Sequence, residues 1–449
     1  MKKILIASVA LIASLQGADS IGSWFEEGEV KGNVKYYYIE TKKDKAGGSH
    51  TSAHANSIGG QLSYTTGDWA GFQTGVTFMT TNGFALPNVV DASIIGRDNG
   101  VRLEGNPSGT IAQESFSVLG EAYLKYNYKD FTALYGRQVI KTPLIHAKEV
   151  RMLPSAVQGA FVEYNMPYGT TLGASYLTHF KQRTSNKFIN IVEHALGADT
   201  RTVTGSDKGE VIVLDAHYHS DKTAVRVYNY YSDDFMNSLY LDAAYQNKLD
   251  SGISYSASAE YINQTSIGHA DEYLNNAGSI TGGKQIDVDV ISAKLGMGYK
   301  ESKFSVAYSK VFKDDNKHDS LVLPWDGTPL LTNMITSNDL FQSNYGQALQ
   351  ADSLYIGGAQ GIKVGYTQTY DFIGLEGFKT VLAYLNVDNS KFEKDQHDYN
   401  AVLAYGIGNF SLALKGIWVR NTMSVDKTGA IKAPNDKLTQ YRVIANYKF

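Results

Sequence analysis

The chain has 449 residues, no cysteine, a formal charge of −4, and 31 tyrosines and 43 glycines set against only eight prolines. The missing cysteine excludes disulfides, thiolate metal sites and cysteine nucleophiles together, and the mildly acidic balance is the opposite of what a nucleic-acid binder needs. Beyond the first residues, no segment is apolar for the roughly 20 residues a spanning helix requires; abundant tyrosine and glycine with scarce proline suit many strands with aromatic girdles instead.

The N-terminus reads as a secretory signal peptide over residues 1–18. Lys2 and Lys3 precede the apolar run Ile4–Leu15, and a small-residue exit follows, with cleavage expected after Gly17 or Ala18. From Gly28 onward no linker-like shift in composition appears, so residues 19–449 form one domain. Val30–Ile39 alternates Val30, Gly32, Val34, Tyr36 and Tyr38 against Lys31, Asn33, Lys35 and Tyr37. The same period of two recurs in Phe72–Phe78, in Ile253–Tyr261 with a row of serines on one face, and in Phe410–Trp418. Gly136–Gln138 and Val288–Leu295 do not phase cleanly.

Short turns and long connections alternate along the chain. Tight turns fall at Tyr128–Asp130, Pro167–Gly169, Asp221–Lys222, Asp250–Ser251, Gly374–Gly377 and Gly406–Asn409, and long polar stretches at 81–113, 182–209, 263–283, 314–350 and 422–437. That asymmetry predicts an all-β, transmembrane antiparallel β-barrel of about 18 strands, with short periplasmic turns and long extracellular loops. A barrel of this size encloses an aqueous channel. A cation facing lipid at midplane costs about 2–4 kcal/mol, so Lys35, Arg226, Lys363, Lys379, Lys415 and Arg442 should point inward. There they either attract anionic solutes or merely satisfy neighbouring carboxylates. The closing QYRVIANYKF is amphipathic because lipid bathes Tyr441, Val443, Ala445, Tyr447 and Phe449 while water bathes the other face.

Between Tyr135 and Tyr164 two strands flank a connection with two prolines and mixed charge. Folded into the barrel, it would place Lys141, His146, Lys148, Glu149 and Arg151 around a constriction whose diameter and charge set selectivity; the other reading is a solvated external loop. Other candidates carry less. Asp215, His217 and His219 share a strand face, but a histidine pair two residues apart lacks the supporting shell of a metal site. The acidic Lys313–Asp319 lacks the glycine and closing glutamate of a calcium loop. Gly357–Gly361 has no following helix to cradle a phosphate. No metal, cofactor or catalysis is expected, since no G-x-S-x-G elbow or compact Ser/His/Asp cluster is present.

Several stretches resemble the OprD family of outer-membrane porins: LYGRQ, TPL and RMLPSAVQGAFVE between Leu134 and Glu163, FEEGEVKGNVKYYYIET from Phe25, LVLPWDGTPLLTNMITSNDLF from Leu321, ADSLYIGGAQGIKVGYTQTYDF from Ala351, and QYRVIANY from Gln440. The resemblance implies an eighteen-stranded barrel, monomeric or weakly trimeric, with one loop folded inward and a ladder of basic residues along a lumen wall. It implies passage of small anionic or zwitterionic solutes bearing a carboxylate, such as amino acids, short peptides and organic acids. Lys35, Arg151, Lys415 and Arg442 match ladder or constriction positions, with lysine standing at 35 where the family has arginine. The implied partners are outer-membrane lipid and lipopolysaccharide, and the barrel assembly machinery through Phe449. A surface adhesin or receptor whose long loops bind a partner is the competing function.

Overall fold

In a β-strand successive side chains point to opposite faces, and here that alternation builds one wall with a wet side and a lipid side. The computed structural model describes residues 20–83, 115–147, 151–196, 208–276, 279, 281–335, 356–423, 431 and 436–449. Its strands are β1 (Glu29–Asp44), β2 (His50–Thr65), β3 (Phe72–Gly83), β4 (Phe116–Tyr128), β5 (Phe131–Gln138), β6 (Ala156–Met166), β7 (Thr170–Lys181), β8 (Ile189–Asn190), β9 (Val211–His219) and β10 (Thr223–Ser232). They continue as β11 (Met236–Lys248), β12 (Ile253–Ser266), β13 (Asp287–Tyr299), β14 (Ser302–Val311), β15 (Gln360–Thr369), β16 (Phe378–Asp388), β17 (Gln396–Ile407), β18 (Phe410–Arg420) and β19 (Lys437–Lys448). Among the described residues, three short α-helices lie apart from the strands of the wall: α1 (Ile21–Glu26), α2 (Ile191–Leu196) and α3 (His269–Leu274).

The sheet closes on itself. β1 pairs antiparallel with both β2 and β19, so that Lys35 lies opposite Gly59 on one side and Asn446 on the other. β9 skips the two-residue β8 to pair with β7. The barrel is therefore eighteen strands, with β8 as an addition outside it, and closure leaves no edge to seed aggregation. One end carries the tight turns, with Lys129, Tyr168 and Lys300 at positive φ; the other carries the long connections.

Aromatic pairs mark both ends of the apolar band. Phe72 stacks near Tyr126 (4.7 Å) and Phe378 near Tyr405 (4.4 Å) toward the turn end. Tyr384 meets Tyr399 (4.9 Å) and Trp418 meets Tyr441 (6.1 Å) toward the loop end. The chain terminus is held by reciprocal backbone hydrogen bonds between Gly32 and Phe449 (2.9 and 3.0 Å).

The segment 288–295, which does not phase in the sequence, phases in the fold: Val288, Val290 and Ser292 are buried inside, while Ile291 and Leu295 face out. Its inner face is apolar because protein, not water, covers that part of the lumen. Buried Val211, Val213, Ile262, Val288, Val290, Val311, Leu385 and Val387 form one cluster with Leu144, Ile145, Leu321, Val322, Trp325 and Leu330 from two inward connections. Gly136–Gln138 is irregular for another reason. Arg137 faces outward at the loop-end rim, donating from Nε to Gln158 Oε1 (3.1 Å) with its guanidinium 4.3 Å from the Phe188 ring centroid.

Candidate functional site

Two connections enter the barrel, where the sequence suggests one. Residues 139–147 and 151–155 line the lumen beside β1–β4, with Met152 and Leu153 packed on Tyr37, Ile39, Ala55 and Met79. Lys35 Nζ donates to the carbonyls of Arg151 (3.3 Å) and Met152 (3.2 Å), so a wall lysine pins this segment. The second inward segment is 320–335, and successive strands zip it to the wall. Gln264 of β12 both donates to Val322 O (2.9 Å) and accepts from its N–H (2.8 Å). Leu331 N–H donates to Glu260 (3.2 Å), Thr332 to Ser309 Oγ (2.7 Å), Lys363 to Asn333 O (2.5 Å) and Ile335 N–H to Asn400 Oδ1 (2.7 Å). Its signal was present in the sequence as Leu321, Val322, Trp325, Leu330 and Met334, too apolar for a solvated loop; lacking period two, they predict no strand.

The two segments meet, and a third joins them. Trp325 O accepts from His146 N–H (3.0 Å), Thr328 N–H donates to Pro143 O (3.2 Å), and Trp325 Nε1 donates to Ile191 O (2.9 Å) at the start of α2. Gly327 permits the approach: a Cβ there would sit 2.7 Å from Leu144 O. Beside it Asp326, at φ +60°, accepts hydrogen bonds from Ser155 of the first segment and Arg183 of the 182–196 connection. One carboxylate thus ties three connections into a single packed unit.

His194 of α2 packs on Phe180 (4.7 Å). Burial holds its ring at about 4, against a smaller opposing pull from Asp326. Burial also lowers His318 to about 4, helped by Lys284 and Lys391. Both folded values lie below the ordinary 6.5, so the unpacked loops bind more protons. The packing is fully stable above about pH 6.5 and loses stability as the pH falls toward 4. Channel current is expected to be steady at pH 7 and to flicker increasingly between pH 6 and 4, with His194→Gln narrowing that change. Equally quiet traces at pH 7 and pH 4 would contradict it.

Strand parity puts all six wall cations, Lys35, Arg226, Lys363, Lys379, Lys415 and Arg442, on the lumen face, but in different circumstances. Arg226 is bidentate with Asp242 (2.8 and 2.9 Å). Arg442, register partner of Lys415, is only 1 % exposed and donates to Gln440 Oε1 (2.7 Å) and Tyr37 (3.4 Å). Of the loop residues, Lys141 is exposed, His146 half-buried and Arg151 buried, while Lys148 and Glu149 lie outside the described residues. His217 Nε2 lies 3.1 Å from Asp215 on β9; among the described residues, no set of three His, Cys, Asp or Glu side chains is placed to hold a metal.

Lys294 and Lys303 also face the lumen but do not stand out in the sequence, since Lys294 falls in the badly phased β13. Lys294 and Lys363 flank Ala307 at one level, roughly 10 Å apart across two strand spacings. Lys303 lies four residues closer to the turn end, opposite Thr367, and Lys379 lower still, opposite Thr369. Lys294, Lys303 and Lys363 border a recess of about 660 Å³ with Ser254, Ser256 and Ser305, on the side chains too small to fill it. The arrangement can draw an anion down the wall in steps without enclosing it.

The fold is that of solved porins. The chain superposes on OccK9 (OpdG) of Pseudomonas aeruginosa with a TM-score of 0.71 at 14 % identity, covering 95 % of this chain and 99 % of that one. OpdK of the same organism, solved with vanillate, gives 0.69 at 12 %, and OccK2 (OpdF) in complex with glucuronate gives 0.66 at 13 %, both with the same coverage. No curated protein matches the chain in sequence. The profile described as outer membrane porin, OprD family, matches residues 22–449, and the chain belongs to that family of non-enzymatic outer-membrane channels.

Proposed function

We propose that this porin passes small solutes bearing a carboxylate, and that the descending row Lys294, Lys363, Lys303 and Lys379 guides them. The observation that carries the reading is the row itself. Among the described residues Lys294, Lys303 and Lys379 have no hydrogen-bond or ion-pair partner, so their charge faces the lumen water. A lysine in water is a strongly hydrated point charge, which suits transient attraction better than capture. Vanillate and glucuronate, bound by structurally similar porins, are both carboxylates. Arg226 contributes little on this reading because Asp242 neutralises it, and Arg442 acts through the wall because it is covered.

The test is single-channel recording in planar bilayers with a small aromatic carboxylate, a basic amino acid and a neutral sugar added in turn. Brief blocking events from the carboxylate alone are expected. Equal blocking by the neutral sugar would set the reading aside.

A further inference from the structure

On the outside of the barrel, between β15 and β18, the wall carries a recess of about 650 Å³ that faces away from the lumen. Its construction follows three register levels. Toward the loop end, Asn386, His397 and Arg420 lie side by side; two residues lower come Tyr384, Tyr399 and Trp418; two residues lower again come Leu382, Ala401 and Gly416. The lowest level is small at Ala401, which floors the recess between Leu382, Tyr384, Tyr399 and Trp418. Gly416 is instead covered by the Trp418 ring, which packs so close that a Cβ there would stand 2.4 Å from it. The three levels span roughly 13 Å along the strands.

The rim is polar in a specific way. His397 Nδ1 is engaged by the Tyr384 hydroxyl (2.9 Å), and Asn386 Nδ2 donates to Asp395 (3.1 Å). Arg420 is exposed and, among the described residues, makes no hydrogen bond or ion pair. An apolar slot that opens sideways into the bilayer is reached by membrane components only. A guanidinium standing directly above it at the loop-end interface presents a fork of donors suited to phosphate.

From this geometry we infer a lipid site: the acyl chains of a phosphorylated glycolipid of the lipid A type lie against Ala401 between Tyr384, Tyr399 and Trp418, and its phosphate meets Arg420. The long connections place this rim in the outer leaflet, which is where that lipid resides. The site is independent of which solute crosses the lumen.

The mature barrel in mild detergent, titrated with lipid A or phosphatidylethanolamine and followed by native mass spectrometry, tests this. Lipid A is expected to stay bound preferentially, Arg420→Gln to weaken its retention about tenfold, and Ala401→Phe to abolish it by filling the trough. Single-channel conductance should be unchanged in both variants, because neither side chain faces the lumen. Retention of lipid A by Arg420→Gln at wild-type strength, or by Ala401→Phe at any comparable level, would overturn the site, as would equal retention of phosphatidylethanolamine. Should Ala401→Phe lose its heat-modifiable mobility, and so its fold, Ala401→Leu serves in its place.

Discussion

Replacing Asp326 with alanine is expected to leave the barrel standing and to loosen the connections packed inside it. The wall does not depend on this residue: eighteen strands close through their own ladder. The three inward or rim connections do depend on it. Asp326 is the acceptor shared by Ser155 and Arg183, with the Arg183 and Asp326 side chains 11 % and 5 % exposed. Removing one member of a buried pair leaves the other charged and uncompensated, which costs about 3–5 kcal/mol. That penalty falls on loop packing, so the segments 182–196 and 320–335 should become protease-sensitive while the folded barrel still resists boiling-free electrophoresis. Single-channel conductance should rise and grow noisy. Asp326→Asn keeps the acceptor for Ser155 and loses the charge, so it should sit between the two. A quiet Asp326→Ala channel of unaltered conductance would show that the connections hold their places without the carboxylate.

The triple variant Lys294→Gln, Lys303→Gln and Lys363→Gln is expected to reduce preference for anions about tenfold and to remove blocking by carboxylates. Two unit charges 4 Å apart interact by about 1 kcal/mol in bulk water and about 4 kcal/mol near a protein surface, so a few lysines supply an effect of that size. The reversal potential under a salt gradient measures it directly. Raising salt toward 1 M, where the Debye length is about 3 Å, should erase the difference between wild type and variant. Two controls follow from the wall's geometry. Arg226→Gln should move selectivity toward cations by exposing the Asp242 carboxylate it now neutralises. Arg442→Gln should act weakly, since its side chain is covered. A triple variant with wild-type reversal potential would remove the lysine row from the mechanism.

Much of the wall was legible in the sequence because solvent alone decides it. Lys35, Lys363 and Lys415 are placed by period two, since lipid on one side penalises a cation and water on the other does not. The serine row at 254, 256 and 258 faces inward on the same ground. The readings failed where a third environment intervened. Inside β13, Val288 and Val290 meet neither lipid nor bulk water but buried loop residues, so apolar side chains stand on both faces and the alternation vanishes. Lys294 was lost with it. The 320–335 segment sits inside a polar connection in the sequence, and a chain that packs without regular structure leaves no period to find.

The sequence by itself determined the cysteine-free, all-β character of the chain and its family resemblance, since each rests on local composition and on which side of a strand meets water. Only the tertiary structure decided that Arg226 is neutralised by Asp242 and Arg442 covered, and that Asp326 joins three connections. It likewise decided that Tyr399, Trp418 and Arg420 border one trough. Those are contacts between residues that strand pairing and loop packing bring together, and no local pattern in the chain encodes them.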